Sequence, residues 1–216
     1  MPLLELLVPP ACSGCGAYGE TLCRRCRSGF RPASAARDRF VATDAATVIG
    51  DELEVAVAAF AYEGTLRRAL ARLKYGGAAR LAGPLADAAA PLLGPFVTLH
   101  ADAVLVPVPV HRDRLRQRGY NQAALLARRL GLEVGRPIAD VLARDRPTGL
   151  QHRLNRAERL RNLRGAFVIC PDARAPPRAI LVDDILTTSA TLEACAAVLR
   201  AAGCRRVVGV AIAREL

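Results

Sequence analysis

Apolar and polar positions along this chain change period several times, and each change marks an element. Leu53–Tyr62, LEVAVAAFAY, is almost unbroken in apolar residues and has strand character. Gly64 then leads into TLRRALARLKY, where Leu66, Leu70 and Leu73 share one helical face with Arg and Lys opposite. A second helix is predicted through ARLAGPLADAAAPLL in spite of its Gly83-Pro84 step. AVLVPVPV, Ala103–Val110, reads as a short buried strand ending in prolines, and a basic turn follows it. NQAALLARRL then predicts a helix with Asn121 as N-cap and Gly131 as its stop. Further along, AFVI and RAILVDD read as strands, SATLEACAAVLRAAG as a helix closed by Gly203, and RRVVGVAIA as a last strand. Such alternation predicts an α/β fold, a mostly parallel sheet covered on both faces. Ligands of such sheets bind at the carboxyl ends of the strands.

The first 45 residues break this pattern. Cys12-Ser-Gly-Cys15 and Cys23-Arg-Arg-Cys26 are paired CxxC knuckles, and SGFRPASAARDRFVATDAAT after them has no helical or strand period. Two thiolates from each tight turn complete the tetrahedral site that zinc prefers, so Cys12, Cys15, Cys23 and Cys26 predict a structural Zn2+ with no open position. Arg24, Arg25 and Arg27 offset the charge of four thiolates. Disulfides and a redox CxxC pair are the competing accounts; a chain with no secretory signal is expected in a reducing compartment, which argues against disulfides. We therefore divide the chain into a four-cysteine zinc-binding module with linker, 1–45, and an α/β domain, 46–216. The module has too little apolar surface to fold without its metal.

The hydrophobic fraction of 52% raises the question of a membrane. No apolar run approaches the roughly 20 residues that a spanning helix needs. MPLLELLV has no basic leading region, so a cytoplasmic location is expected. Formal charge is +11, and its placement is uneven. From His111 to Gly165 there are fourteen Arg against five acids, a net +9. That concentration suggests an anionic partner, phosphates or nucleic acid, although solvated helix faces account for part of it.

The sharpest chemistry lies in ILVDDILTTSATL, Ile180–Leu192. Asp183 and Asp184 follow an aliphatic run, and Thr187, Thr188, Ser189, Ala190 and Thr191 lead into the next helix. Small residues let backbone amides reach a ligand, hydroxyls add donors, and a helix N-terminus favours negative charge; together these make a phosphate cradle. The carboxylates repel phosphate and suit vicinal hydroxyls or a hydrated magnesium ion. A ligand with a phosphate at one end and a diol at the other is a ribose 5-phosphate. The bland reading is a capped helix, but two consecutive acids exceed what a cap requires.

ILVDDILTTSATL resembles the signature of type I phosphoribosyltransferases, which bind phosphoribosyl pyrophosphate (PRPP) with Mg2+. The resemblance implies that Asp183 and Asp184 contact the ribose hydroxyls, with a catalytic role if transfer occurs, and that Thr187–Thr191 wrap the 5-phosphate. The family usually has Gly where Ser189 stands, which matters if that position needs positive φ. With the paired CxxC knuckles, FAYEGTLRRALARLKYGG, VPVPVHRDRLRQRGYNQA and the spaced Thr148, Gln151, Arg159, Asn162 and Phe167, the chain is similar to the ComF family, named for its association with DNA uptake in bacterial competence. The resemblance implies PRPP or a related ribose phosphate as ligand, with single-stranded DNA and competence proteins as partners.

Three functions follow from these residues. In a phosphoribosyl transferase, the protein holds the ribose and neutralises departing pyrophosphate; Arg116 and Arg118 of the basic turn, with Asn121, are the candidates for that side, Arg118 foremost because it belongs to RGYNQ. Arg112, Arg114 and Arg116 are at least equally well read as a solvated loop. A non-catalytic module would keep the fold and use the basic face for single-stranded DNA, with Tyr75 and Tyr120 as stacking candidates; nine aromatics in the whole chain argue against an extended stacking platform. A transferase of nucleotide metabolism unrelated to DNA uptake is the third. His100, His111 and His152 show no metal or triad spacing.

Overall fold

The computed structural model describes residues 9–33, 52–145, 163 and 165–215. Its strands are β1 (Ala56–Ala61), β2 (Val104–Pro107), β3 (Leu142–Arg144), β4 (Phe167–Ile169), β5 (Arg178–Leu186) and β6 (Arg206–Arg214). Four of them form a wholly parallel sheet in the order β1-β6-β5-β2, and β3 and β4 pair as a separate antiparallel ribbon. The helices are α1 (Arg24–Ser28), α2 (Gly64–Tyr75), α3 (Ala82–Leu99), α4 (Arg112–Arg118), α5 (Gln122–Val134) and α6 (Ala190–Ala201). The expected α/β architecture with a mostly parallel sheet is present.

Strand alternation divides the core into two layers. Val57, Ile180, Val182, Val208 and Val210 pack with the leucines of α2, α3 and α5 on one face. Ala56, Ala58, Leu181, Val207 and Ala211 pack with α6 and the β3-β4 ribbon on the other. All six residues of β1 are buried although it is an outer strand of the four. Its free edge is covered by the chain leaving the cysteine knuckle: Ala33 N–H donates to the Ala59 carbonyl at 3.0 Å and Ala61 N–H to that of Arg31 at 2.8 Å. Covering an edge in this way removes a row of unpaired backbone groups. Cys12, Leu22, Cys26 and Phe30 join the same core as Leu66 and Leu70 of α2, with the Phe30 and Phe60 rings edge to face at 5.2 Å. Full burial of Leu22 and Phe30 is worth about 2 kcal/mol each.

The far edge positions the site. Leu105 of β2 bridges in parallel to Ile138, so the chain that leaves β2 and passes through α5 returns on the outer side of β2. The chain that leaves β5 passes through α6 to β6, on the opposite side. Neighbouring strands whose connections depart in opposite directions open a crevice between their carboxyl ends.

Several sequence expectations shift. The stop at Gly131 is wrong: α5 runs to Val134 and ends at Gly135, φ 64°. Gly131 instead permits a close approach, since a Cβ there would lie 2.9 Å from the Arg136 carbonyl oxygen and 3.0 Å from Ile138. The helix through Gly83-Pro84 forms and extends to Leu99, with Pro84 in its first turn where no internal N–H bond is lost. The basic turn is the seven-residue helix α4. Strand β5 does not end at the aspartates but continues beside β6 to Leu186. The 28–47 linker beyond residue 33, the 45/46 boundary, and Thr148, Gln151, His152, Arg159 and Asn162 lie outside the described residues. Among the described residues, no helix is long and apolar enough to cross a membrane.

Candidate functional site

The acidic pair stands where β5 outlasts β2. The last β2 pairing joins Pro107 to Val182, and Val108 N–H still reaches the Val182 carbonyl at 2.9 Å. From Asp183 onward β5 keeps β6 as a neighbour and has lost β2. Both carboxylates therefore sit at the head of the crevice. Continued alternation sends Asp184 toward the α2 layer and Asp183 toward α6. Asp184 is buried, 3% of its side chain exposed, and its Oδ2 lies 3.1 Å from Lys74 Nζ at the end of α2. Asp183 lies among Cys195 of α6, Arg144 of β3 and its own neighbour, and its Oδ1 accepts the Asp184 N–H at 2.8 Å. Burial, then the adjacent carboxylate, pushes Asp183 up to about 8 against the pull of Lys74. Lys74 is lowered by burial, but Asp184 and Asp183 outweigh this and its net shift is upward.

The hydroxyl loop turns the strand into α6. Thr187, Thr188 and Ser189 are three successive bends, and helix begins at Ala190, with Thr191 half-buried in its first turn. Ser189 has φ 62° and ψ 1°, the one positive-φ residue other than glycine among the described residues. This position therefore demands the left-handed conformation for which glycine is the natural choice. Ser189 is 5% exposed and its side chain makes no capping bond to α6. Glu193, the acid of the first turn, is engaged elsewhere: its two oxygens accept the N–H groups of Glu52 and Leu53, each at 3.1 Å.

The RGYNQ segment closes the crevice from the β2 side. Tyr120 Oη donates to the Leu73 carbonyl at 2.6 Å, the Arg118 guanidinium lies 5.7 Å from the Tyr75 ring centre, and it also donates to Gln122 Oε1. Burial lowers Arg118 and the Asp184 charge opposes that shift. Asn121 caps α5 by accepting from Ala123 N–H at 3.0 Å and donates to the Val108 carbonyl at 3.0 Å; it fixes the loop. Arg116 is 78% exposed and 3.9 Å from Asp113. His111 is buried and caps α4 through Nδ1. Sequence reasoning assigned no site role to Lys74 or Arg144. Lys74 carries a readable signal, as the only lysine of the chain; Arg144 carries none, because its position depends on the β3-β4 pairing.

The cysteine knuckle is the second site. The sulfurs of Cys12, Cys15, Cys23 and Cys26 lie within 4.8 Å of one another, with Cys15 and Cys23 at 3.7 Å. A zinc ion with sulfurs at about 2.3 Å sets tetrahedral sulfur separations of about 3.8 Å, so the set can hold such an ion. Burial raises the Cys12 thiol, but backbone N–H bonds from Cys23, Cys15 and Gly14 bring it down to about 6, favouring the ligating thiolate. Gly14 permits the close turn, since a Cβ there would lie 2.6 Å from Cys26 Sγ. The knuckle is tied to α2 by Arg68, which donates to the Gly14 carbonyl at 3.1 Å, and by Arg72, 3.4 Å from Ser13 Oγ.

No family model matches the chain. It is 34% identical over 106 residues to Competence protein F of Haemophilus influenzae, a match covering 48% of this chain and 46% of that protein. The match thus spans about half the length of each. This similarity to a curated competence protein supports the resemblance to the ComF family that the knuckles, RGYNQ and the acidic strand had suggested.

Proposed function

We propose that this chain binds PRPP, or a related ribose 5-phosphate, with magnesium at the carboxyl end of β5, and that it serves the handling of single-stranded DNA in competence. The observation that carries the first part is the left-handed turn at Ser189 between the acidic pair and α6. A bend of this kind folds backbone amides back over the start of a twelve-residue helix, the geometry that receives phosphate. Asp183 and Asp184 then meet the sugar hydroxyls, and Thr187, Thr188, Ser189, Ala190 and Thr191 surround the 5-phosphate. Arg118, half-buried beside Tyr75, faces the pyrophosphate side. Two carboxylates at one crevice are the oxygen donors a hydrated magnesium ion takes. When bound, the ion supplies charge neutralisation to the pyrophosphate.

The DNA part rests on the similarity to Competence protein F and on α4. That helix buries none of its residues, so Arg112, Arg114 and Arg116 project where phosphates can meet them. Titration of PRPP with and without magnesium, repeated with single-stranded DNA as competitor, tests both parts. Magnesium-dependent binding is expected; heat identical with and without the ion contradicts the ribose-phosphate reading. Displacement by DNA indicates a shared surface, and independent binding indicates two surfaces.

A further inference from the structure

Thirty of the thirty-one basic side chains are arginines, and the exception is placed against the buried acid of the site. Lys74 occupies the last turn of α2, where the helix dipole favours a cation. Its ammonium lies 3.1 Å from Asp184 Oδ2, with 22% of the lysine side chain and 3% of the aspartate exposed. Apart from that ion pair, Asp184 Oδ2 is buried with no hydrogen-bond partner. The end of α2 is itself fixed, through the Leu73 carbonyl held by Tyr120 and the Tyr75 ring under Arg118. An ammonium is a compact point charge that approaches a single carboxylate oxygen, whereas a planar guanidinium needs room for its fork.

We propose that Lys74 is the resident cation of the acidic site, a positioning residue that holds the Asp184 charge and with which any divalent cation competes there. The placement has two opposite consequences. A free divalent cation meets one compensated carboxylate and is repelled by the ammonium. An anionic phosphate ligand is drawn by the same ammonium. Lys74 therefore biases the site against the bare metal and toward metal that arrives with a phosphate ligand. For the phosphate arm the inference rests on the ribose-phosphate reading; the cation arm does not.

The test compares wild type with Lys74→Gln, a neutral side chain of similar length, in two titrations. With Mn2+ alone, the variant is expected to bind about tenfold more tightly, because a unit charge a few ångströms away has been removed. With PRPP and magnesium, it is expected to bind about tenfold more weakly. A lysine that only supports packing would weaken both or change neither, and either result overturns the proposal. The Mn2+ gain must shrink when Lys74→Gln is made in an Asp184→Asn background, where the carboxylate that the lysine compensates is gone; an undiminished gain there also overturns it. If Lys74→Gln unfolds, Lys74→Met in the same titrations carries the test. If wild type fails to bind PRPP, the ribose-phosphate reading falls, and the Mn2+ arm alone decides the role of Lys74.

Discussion

Ser189→Gly should stabilise this protein, which is unusual for a buried position. The serine adopts φ 62°, where the Cβ of an L-residue costs roughly 1–2 kcal/mol against glycine. Glycine gives back roughly 0.5–1 kcal/mol through the greater entropy of the unfolded chain. Because the serine side chain makes no capping bond to α6, no helix cap is lost. The net gain is about 0.5–1 kcal/mol, a rise of about 1–4 °C in Tm for a domain of this size. Ser189→Val, branched at Cβ, should lose about 2 kcal/mol or more at the same backbone angle. Reversible thermal unfolding followed by calorimetry measures both. A Tm that falls for glycine, or a valine variant as stable as wild type, refutes the left-handed assignment and with it the shape of the loop proposed to hold phosphate.

The knuckle should hold about one equivalent of zinc, lost in Cys12→Ser and Cys26→Ser. Because both cysteines lie in the core shared with α2, metal loss should lower the Tm of the whole unit; elemental analysis with thermal unfolding checks this. The raised Asp183 means that the folded protein retains a proton which the unfolded chain releases above pH about 4. Its contribution to stability is therefore full below the ordinary value of 3.8 and is lost as pH rises through about 8. Asp183→Asn should remove that decline, seen as a flatter Tm profile between about pH 4 and 8 than wild type shows. Arg116→Ala should reduce the salt slope of single-stranded DNA binding by about 0.7 and leave PRPP affinity unchanged, while Arg118→Ala should weaken PRPP about tenfold or more; fluorescence anisotropy and calorimetry separate the two arginines.

Periodicity made the parallel α/β frame legible, because buried parallel strands and amphipathic helices write their burial directly into residue order. The acidic pair and its hydroxyl loop were equally legible, being local in sequence. Boundaries were less so. Gly131 looks like a helix stop until its contact with Arg136 and Ile138 is known, and the aspartates look like a strand end until β6 is seen to pair through Leu186. Ser189 is instructive in another way: the family resemblance marked it as a departure from glycine, and only the backbone shows that its position has positive φ. Lys74 reaches the site from a helix far upstream of the aspartates, and Arg144 from a short strand of the separate ribbon. Tertiary placement of that kind leaves no periodic trace, and only the rarity of lysine in this chain hinted at the first. The docking of the knuckle onto β1 and α2 was likewise invisible, since Leu22 and Phe30 are isolated apolar residues in a polar segment.

The central claim is a magnesium-dependent ribose-phosphate site on the acidic strand. Calorimetric titration of PRPP into wild type and into Asp183→Asn/Asp184→Asn, with magnesium and with EDTA, measures it most directly. Saturable binding in wild type with magnesium, absent with EDTA and absent in a double variant that still unfolds cooperatively, is the predicted result. Equal binding by the double variant, or none by wild type, contradicts it.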